Sequence, residues 1–263
     1  MKEKRLFAPY LFLLPLIIML FNCVLVSCKK DSGTATVGSN VTLLINNLSP
    51  DVGPVQLYLN NVKQNPVNTT TTAAGLETYT TYSYNQPSSY FSLQSSTGLP
   101  QLRAASSAGN ILVTVSNVTL SSNHKYSLFL TGLSSDNSLK YIFTEDFTDS
   151  LPAVGRGKMR YINATLNANT GFDVYANGVL AFKNIMYYSA TPEKSVSNYI
   201  ELPAGTYDFK FVNTGLDPII ASNVLLDLPG VTVQDGHFYT MYSCGISGGI
   251  DTAAVAGGVI TNQ

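Results

Sequence analysis

Residues 56–62 read QLYLNNV and residues 173–179 read DVYANGV, so one pattern returns 117 residues later in the chain. In both copies aliphatic side chains stand at every second position, which is the spacing of a half-buried β-strand. Each run ends in a turn pair, Asn60-Asn61 or Asn177-Gly178, and these residues tolerate the positive φ angles that tight hairpins need. The pattern therefore predicts the same β-hairpin at two places in the chain.

Two further pairs of segments repeat in the same order. Residues 90–93 (YFSL) match 199–202 (YIEL), and residues 118–120 with 124–127 (VTL, HKYS) match 231–233 with 237–240 (VTV, HFYT). The separations of the three pairs are 117, 109 and 113 residues. Each match is short, but three matches in one order predict a duplicated domain.

The alternation of apolar and polar residues continues through both copies, for example over residues 111–115 and 207–211. After residue 27, no stretch of a dozen residues has the sustained spacing of an amphipathic helix. Short strands joined by polar turns, over about 100 residues per copy, predict an all-β chain with two tandem β-sandwich domains.

We place the two sandwich repeats at residues 40–150 and 151–263. Pro152 and the two glycines soon after it interrupt the strand pattern, which sets this boundary. The first repeat also carries an insertion, residues 63–86, that is rich in Thr and Tyr. We expect a long loop or an extended hairpin there.

The residues around these strands resemble a known family. Residues 47–51 (NLSPD) precede the first strand, and residues 202–207 (LPAGTY) form a turn in the second copy. Together with the repeated hairpin they resemble the domain of unknown function 4397. The first copy lacks the PAG turn, and the second has TLN at residues 165–167 in place of SPD. The resemblance implies tandem immunoglobulin-like β-sandwich domains on envelope lipoproteins of Gram-negative bacteria, and it implies no activity.

Residues 1–27 have the features of a bacterial lipoprotein signal peptide. A positively charged start and an apolar stretch lead to Leu25-Val26-Ser27, directly before Cys28. An aliphatic residue three positions before a cysteine and a small residue just before it resemble the lipobox. Cys23 fits this pattern less well because Asn22 precedes it. The alternative is an uncleaved transmembrane helix, since the apolar stretch is about long enough to span a bilayer.

Cleavage before Cys28 predicts a membrane partner, held through lipid on that thiol with acyl chains such as palmitate. Residues 28–39 then form a flexible tether, because they are rich in Ser, Gly and Thr. We expect the cell envelope as the compartment, with an outer membrane lipid anchor and with the domains facing the periplasm or the cell surface.

The charge and the cysteines narrow the possible functions. The formal net charge is −1 and no basic patch occurs, which argues against a nucleic-acid partner. Once the signal peptide is removed and Cys28 carries lipid, Cys244 is the remaining cysteine, so no internal disulfide can form. The strand-like sequence around Cys244 predicts a buried and unreactive thiol.

We predict no catalytic residue, no cofactor and no metal site. Glu145, Asp146 and Asp149 lie close together, as the paired carboxylates of a glycosidase do, but their place beside the domain boundary favours an ordinary acidic stretch. His124 and His237 occupy equivalent positions in the two copies, and no metal-ligand spacing surrounds either of them. A structural role is therefore expected for these residues.

The leading interpretation is a lipid-anchored envelope protein that is not an enzyme and acts as a binding or structural module. Its partner would be a glycan or another envelope protein. One alternative is a surface glycan-binding protein that uses tyrosine-rich loops, since exposed aromatic rings contact such partners. The contacts expected for this alternative are Tyr79, Tyr82, Tyr84, Tyr187 and Tyr188. The second alternative is a glycoside hydrolase or a peptidase.

Overall fold

The computed structural model describes residues 40–68, 78–79, 81–93, 101–116, 118–146, 150–187 and 195–262, with the backbone alone at residues 68, 78 and 79. These residues form eighteen strands and short 3-10 helices at Ala221–Asn223 and Asp251–Ala253. The strands are β1 (Thr42–Asn47), β2 (Val55–Leu59), β3 (Val62–Lys63), β4 (Val67–Asn68), β5 (Thr78–Tyr79), β6 (Phe91–Ser92), β7 (Leu102–Ser106), β8 (Ile111–Val115), β9 (Lys125–Thr131), β10 (Lys140–Glu145), β11 (Arg156–Asn163), β12 (Phe172–Ala176), β13 (Val179–Ile185), β14 (Ile200–Pro203), β15 (Gly205–Asn213), β16 (Val224–Val233), β17 (Phe238–Cys244) and β18 (Ala256–Thr261).

The two halves of the chain have the same sheet topology. In the first half, the strand orders are β10-β9-β1-β6 and β3-β2-β7-β8. In the second half, the orders β18-β17-β11-β14 and β13-β12-β15-β16 repeat them strand for strand. The predicted all-β fold with two tandem β-sandwich repeats is confirmed. The insertion of the first repeat contains the extra hairpin β4–β5, and the boundary predicted at residue 150 lies between β10 and β11.

In each repeat, one sheet has central strands that are buried on both faces. We call it the inner sheet: β10-β9-β1-β6 in the first repeat and β18-β17-β11-β14 in the second. At the centre of each inner sheet lies a parallel pair, β1 with β9 and β11 with β17. On β1, Leu43 and Ile45 enter the core of their own sandwich, whereas Leu44 faces the other repeat. Burial of both faces places apolar side chains at successive positions of β1 and β9, such as Leu43-Leu44-Ile45 and Leu128-Phe129-Leu130.

Three hydrophobic cores hold the described residues together. One lies inside each sandwich, between its inner sheet and its outer sheet, which is β3-β2-β7-β8 in the first repeat and β13-β12-β15-β16 in the second. The third, which we call the seam, lies between the two inner sheets. Its buried residues are Leu44, Leu48, Phe129, Ile142, Ile162, Ala164, Tyr242, Cys244 and Ile260. The first four come from the first repeat and the other five from the second, so the two sandwiches pack against each other through their inner sheets.

The repeated HKYS and HFYT segments form the same local structure in both copies. The hydroxyl of Tyr126 accepts a hydrogen bond from the backbone N–H of Ser121, and that of Tyr239 accepts one from Gln234, both at 2.9 Å. Each tyrosine lies near the start of its strand and reaches five residues back along the chain, as in the tyrosine corner of immunoglobulin-like sandwiches. The tyrosine therefore ties the preceding turn to the core in both repeats.

Gly132 follows β9 with a φ angle of +90°, and a Cβ atom there would lie 2.2 Å from the backbone oxygen of Ser138. Its counterpart after β17, Gly245, has a φ of +88° and the same close approach to the backbone oxygen of Ala254. A side chain in this left-handed region costs about 1–2 kcal/mol by itself. We expect Gly132→Ala to lower the free energy of unfolding by more than this conformational cost, because the backbone around Ser138 must also move.

Gly109 separates the two effects. Its φ angle is +87°, but nothing lies within 4 Å of its added Cβ atom, so Gly109→Ala should show the conformational cost alone. Urea unfolding of both variants measures the difference. Equal losses of stability would show that the close approach at Gly132 is not a constraint.

Candidate functional site

Two of the tyrosines proposed as ligand contacts, Tyr82 and Tyr84, are partly buried against hydrophobic cores. Tyr82 is half-buried against the core of the first sandwich, where its ring stacks on Phe91 with 6.3 Å between the ring centroids. Tyr84 packs against the seam, and its hydroxyl donates to the Sγ of Cys244 at 3.5 Å. Burial raises the pKa of both phenols. These two side chains, close in sequence, therefore pack against different cores.

The structure describes only part of the other three proposed tyrosines. Tyr187 follows β13, is half-buried and contacts neighbouring groups. Tyr79 belongs to β5, where the backbone alone is described, and Tyr188 lies outside the described residues, as does Cys28. A binding surface built from both tyrosine clusters remains a prediction.

A buried ion pair joins the two repeats beside the seam. Asp146, just after β10, is 2% exposed. Its Oδ2 accepts hydrogen bonds from the hydroxyls of Tyr90 and Ser127, both at 2.6 Å, and its Oδ1 accepts one from Thr144 at 3.2 Å. The same Oδ1 pairs with the guanidinium of Arg160, which lies on β11 and is 4% exposed. Four donors thus satisfy the buried carboxylate.

The Arg160 guanidinium is equally satisfied. It donates to the hydroxyl of Thr240 at 3.0 Å and to the backbone oxygen of Glu145 at 2.8 Å. Its centre also lies 5.1 Å from the ring centroid of Tyr199, within the range of a cation–π contact. Burial is the main reason that the pKa of the Tyr199 phenol rises to about 12. Residues of both repeats thus belong to one connected network of polar contacts.

Asn262 completes this network at the C-terminal end of β18. Its side-chain oxygen accepts from Thr240 at 2.8 Å, and its side-chain N–H donates to the hydroxyl of Tyr90 at 2.7 Å. Lys125 donates to the backbone oxygen of Asn262 at 3.1 Å, and its ammonium lies 5.2 Å from the ring centroid of Tyr90. The sequence pattern did not indicate Arg160 or Asn262, because their partners are distant along the chain.

The remaining candidates for acid–base chemistry lie at the surface. Glu145 pairs with His124, with 2.5 Å between Oε1 and Nδ1, and Nδ1 of His237 lies 2.8 Å from the backbone oxygen of Asp235. Asp149 lies outside the described residues. Among the residues that the structure does describe, no group of three His, Cys, Asp or Glu side chains could hold a metal ion.

Cys244 has the environment of an unreactive thiol. Its side chain is fully buried in the seam, and it is a free cysteine. Burial raises the pKa of the thiol to about 11, against a partial lowering by the Tyr84 hydroxyl that donates to it. The thiolate, which is the nucleophilic form, is therefore scarce at neutral pH.

An open pocket of about 200 Å³ lies on the outer sheet of the first repeat. The lining residues are Tyr58, Asn61, Arg103, Ala105, Gly109 and Ile111. The strands β3, β2, β7 and β8 bring four residues into one row across this sheet, because Tyr58 pairs with both Lys63 and Arg103, and Arg103 pairs with Thr114. Ala105 is small, which leaves a depression between the larger side chains of Tyr58 and Ile111.

Arg103 differs from Arg160 in having no carboxylate partner among the described residues. It is half-buried, its Nε is buried without a hydrogen bond, and none of the described carboxylates pairs with it. A buried donor without a partner costs about 1–3 kcal/mol. The sequence did not indicate this residue, because a single arginine on the solvent-facing side of a strand is common.

The described residues contain no helix that is long and apolar enough to cross a membrane. No curated protein matches the chain. Two solved structures that align to it are each described as a "putative cell adhesion protein". The one from Bacteroides fragilis is 8% identical and the one from Bacteroides eggerthii is 11% identical. Each covers 86% of this chain, and the alignments span 98% and 97% of the two neighbours. Their TM-scores of 0.20 are too low to support an argument.

One family model matches the chain twice, at residues 41–171 and 157–257, and it is described as a domain of unknown function (DUF4397). The two matches cover most of the sequence and correspond to the two sandwich repeats. They confirm the resemblance that the NLSPD and LPAGTY segments indicated. The chain therefore belongs to the family of the domain of unknown function 4397, with one copy of the domain in each repeat.

Proposed function

We propose that the protein is a lipid-anchored, non-enzymatic protein of the cell envelope, in which the two sandwiches form one rigid binding module. The lipobox at residues 25–28 supports the anchor, and the polar stretch at residues 28–39 supports a tether between lipid and domains. The seam and the Asp146–Arg160 pair support rigidity, because one hydrophobic core and one buried ion pair both bridge the two repeats.

One observation favours binding over catalysis. The groups that could act as acid, base or nucleophile, Asp146, Glu145 and Cys244, are engaged by structural partners. In contrast, Arg103 lies in an open pocket with its charge unmatched. An unmatched charge at an open surface is suited to holding a ligand rather than to moving a proton, because arginine stays protonated.

The two alternatives gain less support. A glycan site built from the tyrosine-rich loops would need Tyr82 and Tyr84 to be available, yet both pack against cores. A glycoside hydrolase or peptidase that used Asp146 would have to break its ion pair with Arg160. A binding module requires neither change.

Metabolic labelling with an alkyne fatty acid tests the anchor directly. When the full chain is expressed in a Gram-negative host, we expect the label on Cys28 and expect Cys28 to be the first residue of the mature protein. Mass spectrometry of the N-terminal peptide reads both. An unlabelled peptide that spans residues 20–30 without a break would contradict the proposal.

A further inference from the structure

The outer-sheet pocket of the first repeat carries an unmatched positive charge. Its wall contains Arg103, whose Nε is buried and without a hydrogen bond. Two other arginines on β-strands have carboxylate partners, Arg160 in Asp146 and Arg156 in Glu201. The guanidinium lines the open pocket, where the anionic group of a ligand can pair with its charge.

The rest of the pocket suits a sugar that carries an anionic group. A guanidinium can hold a carboxylate or sulfate by two parallel hydrogen bonds. The ring of Tyr58 offers an apolar surface with a polar edge, and the side-chain amide of Asn61 can both donate and accept. The volume of about 200 Å³ is smaller than a typical site for a drug-sized ligand, so the pocket can take one ring of a larger chain.

The second repeat supplies a comparison within the same molecule. There Tyr175 pairs with Leu180 and Lys210, and Lys210 pairs with Asp227. Asp227 thus takes the place of Thr114, and Leu180 takes the place of Lys63. The row therefore has two positive charges in the first repeat and none in excess in the second.

From this difference we propose that the Arg103 pocket binds the carboxylate or sulfate group of an acidic glycan. The inference rests on the proposed binding function and names its ligand class. Arg103 pairs with the anion, Tyr58 contacts the sugar ring, and Lys63 adds positive potential at the edge of the same row. The corresponding row of the second repeat, in which the formal charges of Lys210 and Asp227 sum to zero, does not bind.

Binding of the full lipidated chain in detergent to four immobilised polymers tests this proposal. Polygalacturonate offers carboxylates, dextran sulfate offers sulfate esters, dextran is neutral, and polyglutamate is an acidic peptide. We expect binding to one or both acidic glycans, no binding to dextran, and weak binding to polyglutamate. Comparing the first two polymers identifies the anion. Equal binding to polyglutamate and to the acidic glycans would overturn the glycan assignment, and no binding to any polymer would overturn the site.

Matched variants locate the site. Arg103→Gln should weaken binding at least about tenfold, since a charged hydrogen bond is lost, whereas Lys210→Gln in the second repeat should leave binding unchanged. Thr114→Asp copies the second repeat and should abolish binding while keeping the arginine. Wild-type affinity in both first-repeat variants, or an equal loss in Lys210→Gln, would overturn the proposal. Lipid labelling of Cys28 should be normal in all three variants, so failure here is distinguishable from failure of the proposed anchor.

Discussion

Asp146→Asn is expected to lower the free energy of unfolding by about 3–5 kcal/mol. The substitution keeps the shape of the side chain but leaves the Arg160 guanidinium buried without its counter-ion. It also replaces an acceptor of the Tyr90 and Ser127 hydroxyls by a group that can donate. Denaturant unfolding followed by circular dichroism measures the loss.

Glu145→Gln is the matched control for this prediction. Glu145 is the preceding residue, but its carboxylate is about half exposed and pairs with His124 at the surface. Exposed pairs contribute about 1 kcal/mol or less, so this variant should be close to wild type. If Asp146→Asn lost no more stability than Glu145→Gln, the pair across the seam would not be a structural element.

Cys28→Ala is expected to move the protein from the membrane fraction to the soluble fraction. The acyl chains on Cys28 would hold the protein at the membrane, because each buried methylene stabilises attachment by about 0.8 kcal/mol. Without Cys28 no chain can be attached, so anchoring should be lost. Fractionation of cells after an alkaline wash, with detection by antibody, measures the distribution.

Cys23→Ala provides the control, because Cys23 lies in the same segment but lacks the small preceding residue of the lipobox. This variant should stay with the membranes. Persistence of Cys28→Ala in the washed pellet would instead favour the uncleaved transmembrane alternative. Release of the Cys23→Ala variant into the soluble fraction would instead place the processing site at Cys23.

The fold was largely predictable from local pattern. Alternation with period two identifies strands, and the repeated QLYLNNV and DVYANGV segments identify the duplication, because both signals lie within a few neighbouring residues. The seam could not be predicted in this way. Leu44 and Phe129 belong to strands that are apolar on both faces, and such a run does not say what covers its second face.

The candidate site was harder to predict, because side chains that are adjacent in sequence can differ completely in burial and in their partners. Glu145 and Asp146 look alike in the sequence, yet one is at the surface and the other holds the repeats together. Tyr82 and Tyr84 are two residues apart and pack against different cores. Arg103 stands out only when its missing partner and the pocket around it are seen together.

The burial of both inner sheets has a consequence for how such a chain can evolve. Two copies that arose by duplication would begin with identical surfaces and could later be exchanged or lost. Here Phe129 of one copy rests near Tyr242 of the other, with 6.5 Å between their ring centroids. A change on either side alters the packing of the other copy, so we expect substitutions in one inner sheet to be compensated in the other.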